Sequence, residues 1–170
     1  KLDDFVVRAK ASIEGIRLGD PQAKIVINHT WIHHGMLRYI LDHGVEFDLI
    51  GLDWYSMMEK YPGGITAYLE KLMELFGKEV ILCESNILGD YAGGSDERQA
   101  DYVEGLINRV RAFAARDSRL KGQVFYELLD EPELGNQEGH FGFIRVREDL
   151  VPEGPKEAYY RIQKLLMPQA

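Results

Sequence analysis

A carboxylate that directly follows a run of consecutive apolar residues marks a place where α/β proteins put chemistry, and this sequence has one at Glu84. The run before it, Val80-Ile81-Leu82-Cys83, is apolar at every position, as in a parallel strand covered on both faces. Three other segments end in a similar way. Asn28, His29 and Trp31 close the first, Asp53, Trp54 and Tyr55 the second, and Glu127, Asp130 and Glu131 the last, while Ser85 and Asn86 follow Glu84. In a parallel sheet all these ends lie on one side, where open sheets and barrels carry their sites. Carboxylates beside indoles suit a carbohydrate, whose C–H faces stack on aromatic rings and whose hydroxyls take hydrogen bonds. Glycoside hydrolysis needs two carboxyl groups, about 5 to 5.5 Å apart in the retaining geometry.

The elements that must position these residues alternate in period. Phe5, Val6, Ala9, Ile13 and Ile16 predict an amphipathic helix from Asp3 to about Leu18, closed by Gly19-Asp20-Pro21. A strand follows at Lys24 to His29, then a short helix from His33 to His43 ended by Gly44. Phe47 to Trp54 reads as the second strand, with Gly51 marking a close approach. After the turn Tyr61-Pro62-Gly63-Gly64, a helical stripe runs from Ile65 through Leu69, Leu72 and Met73 to Phe76. Glu79 to Glu84 is the third strand, and Ser85 to Gly94 a polar loop with the character of an active-site loop. Ser95 or Asp96 caps a helix to about Arg116, with Tyr102, Leu106, Val110 and Phe113 facing inward. Gln123 to Leu129 reads as the fourth strand. Pro155 suits the first turn of a last helix that turns Ala158, Tyr159, Ile162, Leu165 and Leu166 inward.

A helix followed by four strand-helix units, with connections too long for hairpins, implies parallel strands and right-handed crossovers. Four strands do not close a barrel, which typically takes about 250 residues. The 170 residues, 45% apolar, read as a single domain, either half of a (β/α)8 barrel or a small open sheet of the flavodoxin-like kind. A net charge of -8 and a pI near 5.1, without a basic patch, exclude nucleic acid as the expected partner. No apolar run reaches membrane-span length, and the opening KLDDFVVRAKAS lacks a signal-peptide core and reads as the inside of a helix. The single cysteine, Cys83, has the apolar neighbours of an inert thiol.

Taken in order, the motifs resemble the carboxyl-terminal half of a clan-A glycoside hydrolase. The resemblance rests on His29 and Trp31 after one strand, Asp53-Trp54-Tyr55 after the next, Glu84 after the third, and YELLDEPEL followed by PKEAYYRIQKLL at the end. It implies strands five to eight of a (β/α)8 barrel, with the first helix as helix four. It also implies a retaining mechanism with Glu84 as nucleophile and Tyr55 as its hydrogen-bonding partner. Asn28, His29, Trp31, Trp54, Asn86, Glu127 and Glu131 are expected to line or border a sugar cleft, and the expected ligand is an oligo- or polysaccharide of the galactanase, cellulase or xylosidase kind. The acid/base Glu of such enzymes belongs to a segment after strand four, which this chain does not contain. Asp130-Glu131-Pro132 is similar to that motif, but its place before the final helix fits strand eight.

Neither the P-loop nor the dinucleotide pattern is present, and no cofactor is expected. His29, His33 and His34 lack the remaining ligands of a structural zinc site, so no metal is expected. Two other readings stay open at this stage: a non-catalytic half-barrel that pairs with a missing half or a second copy to cover its edges, and a flavodoxin-like domain binding a phosphorylated ligand.

Overall fold

The computed structural model describes residues 1–87, 89 and 94–167. Part of the expected Ser85 to Gly94 loop, at Leu88 and 90–93, lies outside the described residues. The chain begins with helix α1 (Leu2–Gly19) and continues β1 (Val26–Thr30), α2 (Gly35–Asp42), β2 (Leu49–Tyr55), a 3-10 turn (Ser56–Lys60) and α3 (Gly64–Phe76). There follow β3 (Glu79–Asn86), α4 (Asp96–Ala114) and β4 (Leu120–Gln123). Two 3-10 turns, Pro132–Leu134 and Gln137–His140, and a ribbon of β5 (Ile144–Val146) and β6 (Pro152–Pro155) lead to α5 (Glu157–Leu166).

All three pairings of the main sheet's neighbours, β1 to β2, β2 to β3 and β3 to β4, run parallel, and spatial order follows chain order. A flavodoxin-like sheet reverses direction after its first crossover, so its strand order is not sequential. This sheet winds one way, as a barrel wall does, and that sets the flavodoxin-like reading aside. The helices share one face. Val6 and Ile13 of α1, Leu37 and Ile40 of α2, Leu69 and Leu72 of α3, and Leu106 and Phe113 of α4 form a single core with Ile50, Leu52, Trp54, Val80 and Leu82. Ala100, Val103 and Ile107 of α4, with Phe143 and Ala158, form a second cluster under α5. The sheet's other face is open at its rim, where Val26 is 40% exposed and Asn28 and Thr30 are exposed.

Gly51 sits on that open face. A Cβ there would stand 2.7 Å from Cys83 Sγ, 2.8 Å from Asn28 Oδ1 and 3.0 Å from Val26 Cγ1, so any larger residue would push neighbouring strands apart.

Three features differ from the sequence reading. The fourth strand is Leu120–Gln123, not 123–129. Val124 N still donates to Leu82 O at 2.8 Å, but beyond it Ser85 Oγ and Asn86 Nδ2 take Val124 O and Tyr126 O, so side chains replace the ladder and the chain turns away. Pro155 lies in β6, and α5 starts at Glu157, with Leu166 exposed. On α1 only one stripe, Val6 and Ile13, is buried, and Phe5 and Ile16 face outward.

Candidate active site

Glu84 reaches the carboxyl-terminal rim because β3 carries a bulge. The register passes from Leu52↔Leu82 to Asp53↔Glu84, leaving Cys83 as the extra residue. A bulge re-aims the side chains after it. Opposite stands Tyr55, the last residue of β2, whose hydroxyl donates to Glu84 Oε2 at 2.7 Å. Burial first, and then this bond, push the Tyr55 hydroxyl far above its usual range, so it remains a donor at any working pH. A hydrogen bond to a carboxylate favours its ionised form.

The two residues open into a cleft of about 400 Å³, walled by Trp31, Tyr126, Glu138 and Phe141. Trp31 is 48% exposed and has left-handed backbone, φ 74°, an unusual conformation for a residue with a side chain. It is held from behind: Tyr68 OH donates to Trp31 O at 3.2 Å, and the Tyr68 hydroxyl oxygen lies 3.1 Å from His29 Nε2. With the hydroxyl proton directed at Trp31, His29 Nε2–H is the donor of that pair. Burial keeps the imidazole below its usual pKa, hence neutral.

Beneath the cleft, Asn28 Nδ2 and Thr30 Oγ1 donate to Asp53 Oδ2 at 3.0 and 2.6 Å. The far wall is pinned by buried amides. Asn86 Nδ2 donates to Tyr126 O and Phe141 O at 2.6 and 2.7 Å, and Gln99 Nε2 donates to Phe141 O at 3.1 Å. The Phe141 ring rests 5.2 Å from Tyr55 and 6.0 Å from Tyr126. Below it Lys156 Nζ meets Asp130 Oδ1 at 2.8 Å, and a Cβ on Gly142 would run into the Leu129–Asp130 backbone.

Of the residues expected in the cleft, the structure brings together Trp31, Tyr55 and Glu84, with Asn28 one layer below. Trp54 is a correction. It is 0% exposed and turned to the helix side, because its position in β2 alternates with Tyr55; its Nε1 donates to Glu59 Oε1 at 3.0 Å. Glu59 is in turn clasped by Arg109 through two bonds of 2.8 Å. His29 and Asn86 are likewise buried and act on the cleft through Trp31, Tyr126 and Phe141 rather than by lining it. Glu127 and Glu131 lie outside the walls around Glu84, since the chain leaves the sheet after Val124. The sequence reading missed Tyr126, Glu138 and Phe141. Tyr126 stood inside a misplaced strand, and the other two lie in a stretch without periodicity, where no signal marks them. Among the described residues no group of three or more His, Cys, Asp or Glu side chains is placed to hold a metal ion.

Glu127 has its own electrostatics. Its Oε1 is buried without a hydrogen-bond partner among the described residues. Burial first, then Glu131, Asp130 and Glu133, raise its carboxyl to about 7. The folded chain therefore holds this proton more tightly than the unfolded chain, so stability is expected to fall as pH rises from the ordinary 4.5 to about 7. Glu127→Gln is expected to flatten that fall. Urea unfolding at both ends of the window checks it, and equal slopes in the two proteins would contradict it.

No protein-family model matches the sequence, and no curated protein does. Solved structures do match. A β-glycosidase, BGL167, superposes with a TM-score of 0.65 at 16% identity, over 97% of this chain and 49% of its own. The catalytic domain of an Ignisphaera aggregans GH53 protein gives 0.62 at 17% identity, over 83% and 49%. Xylanase 10B from Thermotoga maritima gives 0.59 at 19% identity, over 88% and 48%. This chain spans about half the length of each. Its fold is thus a parallel-stranded α/β unit matching about half of a TIM-barrel glycoside hydrolase.

Proposed function

We propose that this chain is the part of a retaining glycoside hydrolase that carries its nucleophile, Glu84. One observation supports this above the rest: Tyr55 donates to Glu84 at 2.7 Å, at the carboxyl-terminal rim of a parallel sheet and within an aromatic-walled cleft. In the first step a Glu84 oxygen bonds to the anomeric carbon as the bond to the leaving oxygen breaks, and the leaving oxygen takes a proton from a general acid. Water then attacks the same carbon from the opposite face, gives up its proton to the same acid/base group, and frees the Glu84 carboxylate. Tyr55 holds the carboxylate in place while keeping its own proton. Trp31 offers a flat face for the sugar ring.

No carboxyl group of this chain is assigned as the general acid, and the reading takes it from the rest of a closed barrel. General acid/base help is commonly worth about 10² to 10⁴ in rate, so the 170 residues alone are expected to hydrolyse natural glycosides barely or not at all. With the barrel complete, the first-formed sugar is expected to keep the anomeric configuration of the substrate. Proton NMR during early turnover reads the anomer directly, and an inverted product would exclude Glu84 as a covalent nucleophile.

A further inference from the structure

We infer, from the sugar cleft of the reading above and independently of the role given to Glu84, that Thr30 selects a sugar with a free hydroxyl at one position, because its own hydroxyl enters the cleft as an acceptor only. Thr30, the last residue of β1, is exposed and lines the cleft with Trp31, Tyr55 and Glu84. Strand register puts it in the row of the candidate nucleophile: Thr30 pairs with Asp53, and Asp53 with Glu84. Neighbouring strands stand about 4.8 Å apart, so Thr30 and Glu84 flank a single strand. A sugar ring laid on the indole of Trp31, the next residue, thus has Thr30 Oγ1 beside it.

A hydroxyl has one proton and two lone pairs. The proton of Thr30 is already committed. Oγ1 donates to Asp53 Oδ2 at 2.6 Å, a length typical of a hydroxyl on a carboxylate. Asp53 is 4% exposed, so water does not compete for that bond. Asn28 Nδ2 gives the same oxygen a second bond at 3.0 Å, while Oδ1 is buried without a hydrogen-bond partner among the described residues. Turning the Thr30 proton toward a ligand would take a bond from this buried carboxylate, which disfavours any ligand that can only accept. What remains at the cleft is a lone pair, and the ligand must bring the proton. A free ring hydroxyl does so, whereas hydrogen or fluorine at the same position does not. Carbohydrates differ in which ring carbons bear free hydroxyls, so this one oxygen discriminates among them by a donor and not by size.

Calorimetry on the 170-residue chain tests this with methyl β-cellobioside, β-xylobioside and β-galactobioside, and with the monodeoxy and monofluoro forms of whichever binds most tightly. One position is expected at which the deoxy and fluoro forms both bind about three- to tenfold more weakly than the hydroxy form, the size of one hydrogen bond. Thr30→Val keeps the branched shape and loses the oxygen. In it the hydroxy form is expected to weaken by the same factor, and the penalty at that position to vanish. Thr30→Ser keeps the oxygen and is expected to retain both the affinity and the penalty, and urea unfolding checks that each variant is folded. A fluoro form that binds as well as the hydroxy form would show Thr30 donating, and a penalty that persists in Thr30→Val would place the contact elsewhere. Either result overturns the inference, as does Thr30→Ser behaving like Thr30→Val. A chain that binds none of the three sugars would remove the sugar cleft and this role of Thr30 with it. Covalent labelling of a carboxylate other than Glu84 would instead overturn the catalytic reading and leave these affinities unchanged.

Discussion

Glu84→Ala, in the closed barrel, is expected to lower turnover of an aryl β-glycoside by between about 10⁴- and 10⁶-fold, the range seen when a member of a nucleophilic set is removed. The size follows from what the residue does: without it the anomeric carbon has no covalent partner, and the oxocarbenium-like transition state loses the one carboxylate that Tyr55 holds at 2.7 Å. The substitution removes a partly buried charge at a strand rim and none of the main core, so the variant is expected to fold. Azide supplies the diagnostic. In the space left by the carboxylate it is expected to attack from the same face, restore bond cleavage and release a glycosyl azide of inverted configuration. Steady-state kinetics and product NMR read both effects. A variant with more than a tenth of the parent rate would remove Glu84 from the mechanism.

The largest effect on stability is expected at the buried ion pair under the cleft wall. Lys156 and Asp130 are 0% and 4% exposed and meet at 2.8 Å. Lys156 also reaches His140 O at 3.5 Å, so the pair ties α5 to the segment bearing Glu138 and Phe141. Breaking a buried ion pair by removing one partner commonly costs about 3 to 5 kcal/mol. Asp130→Ala is expected to lose that much in urea unfolding at neutral pH. A loss below about 1 kcal/mol in the single variant would contradict this.

Much of the fold was legible because parallel strands covered by helices leave apolar runs, and Leu49 to Leu52 and Val80 to Cys83 are such runs. The positions of Glu84 and Tyr55 near the ends of their strands were legible for the same reason. The failures have different causes. Trp54 and His29 sit at strand ends too, but the two-residue alternation of a strand turns them to the helix side, and the boundary shift that decides this is smaller than a sequence pattern resolves. The fourth strand slipped because Val124, Phe125 and Tyr126 have strand composition, while the side chains of Ser85 and Asn86 take over the backbone bonds there. Nothing in the spacing of Glu138 and Phe141 marks them, because Asn86 and Gln99, distant in sequence, hold that segment in place.

Labelling with a 2-fluoro glycoside that carries a dinitrophenyl leaving group tests the central claim most directly. Such a leaving group departs without a proton, so no general acid is needed for the first step, and the fluorine slows the second. Peptide mapping by mass spectrometry is expected to find one sugar, as an ester on Glu84, with labelling reduced in Tyr55→Phe. An adduct on Glu127, Glu131 or Glu138 with Glu84 unmodified would contradict the assignment.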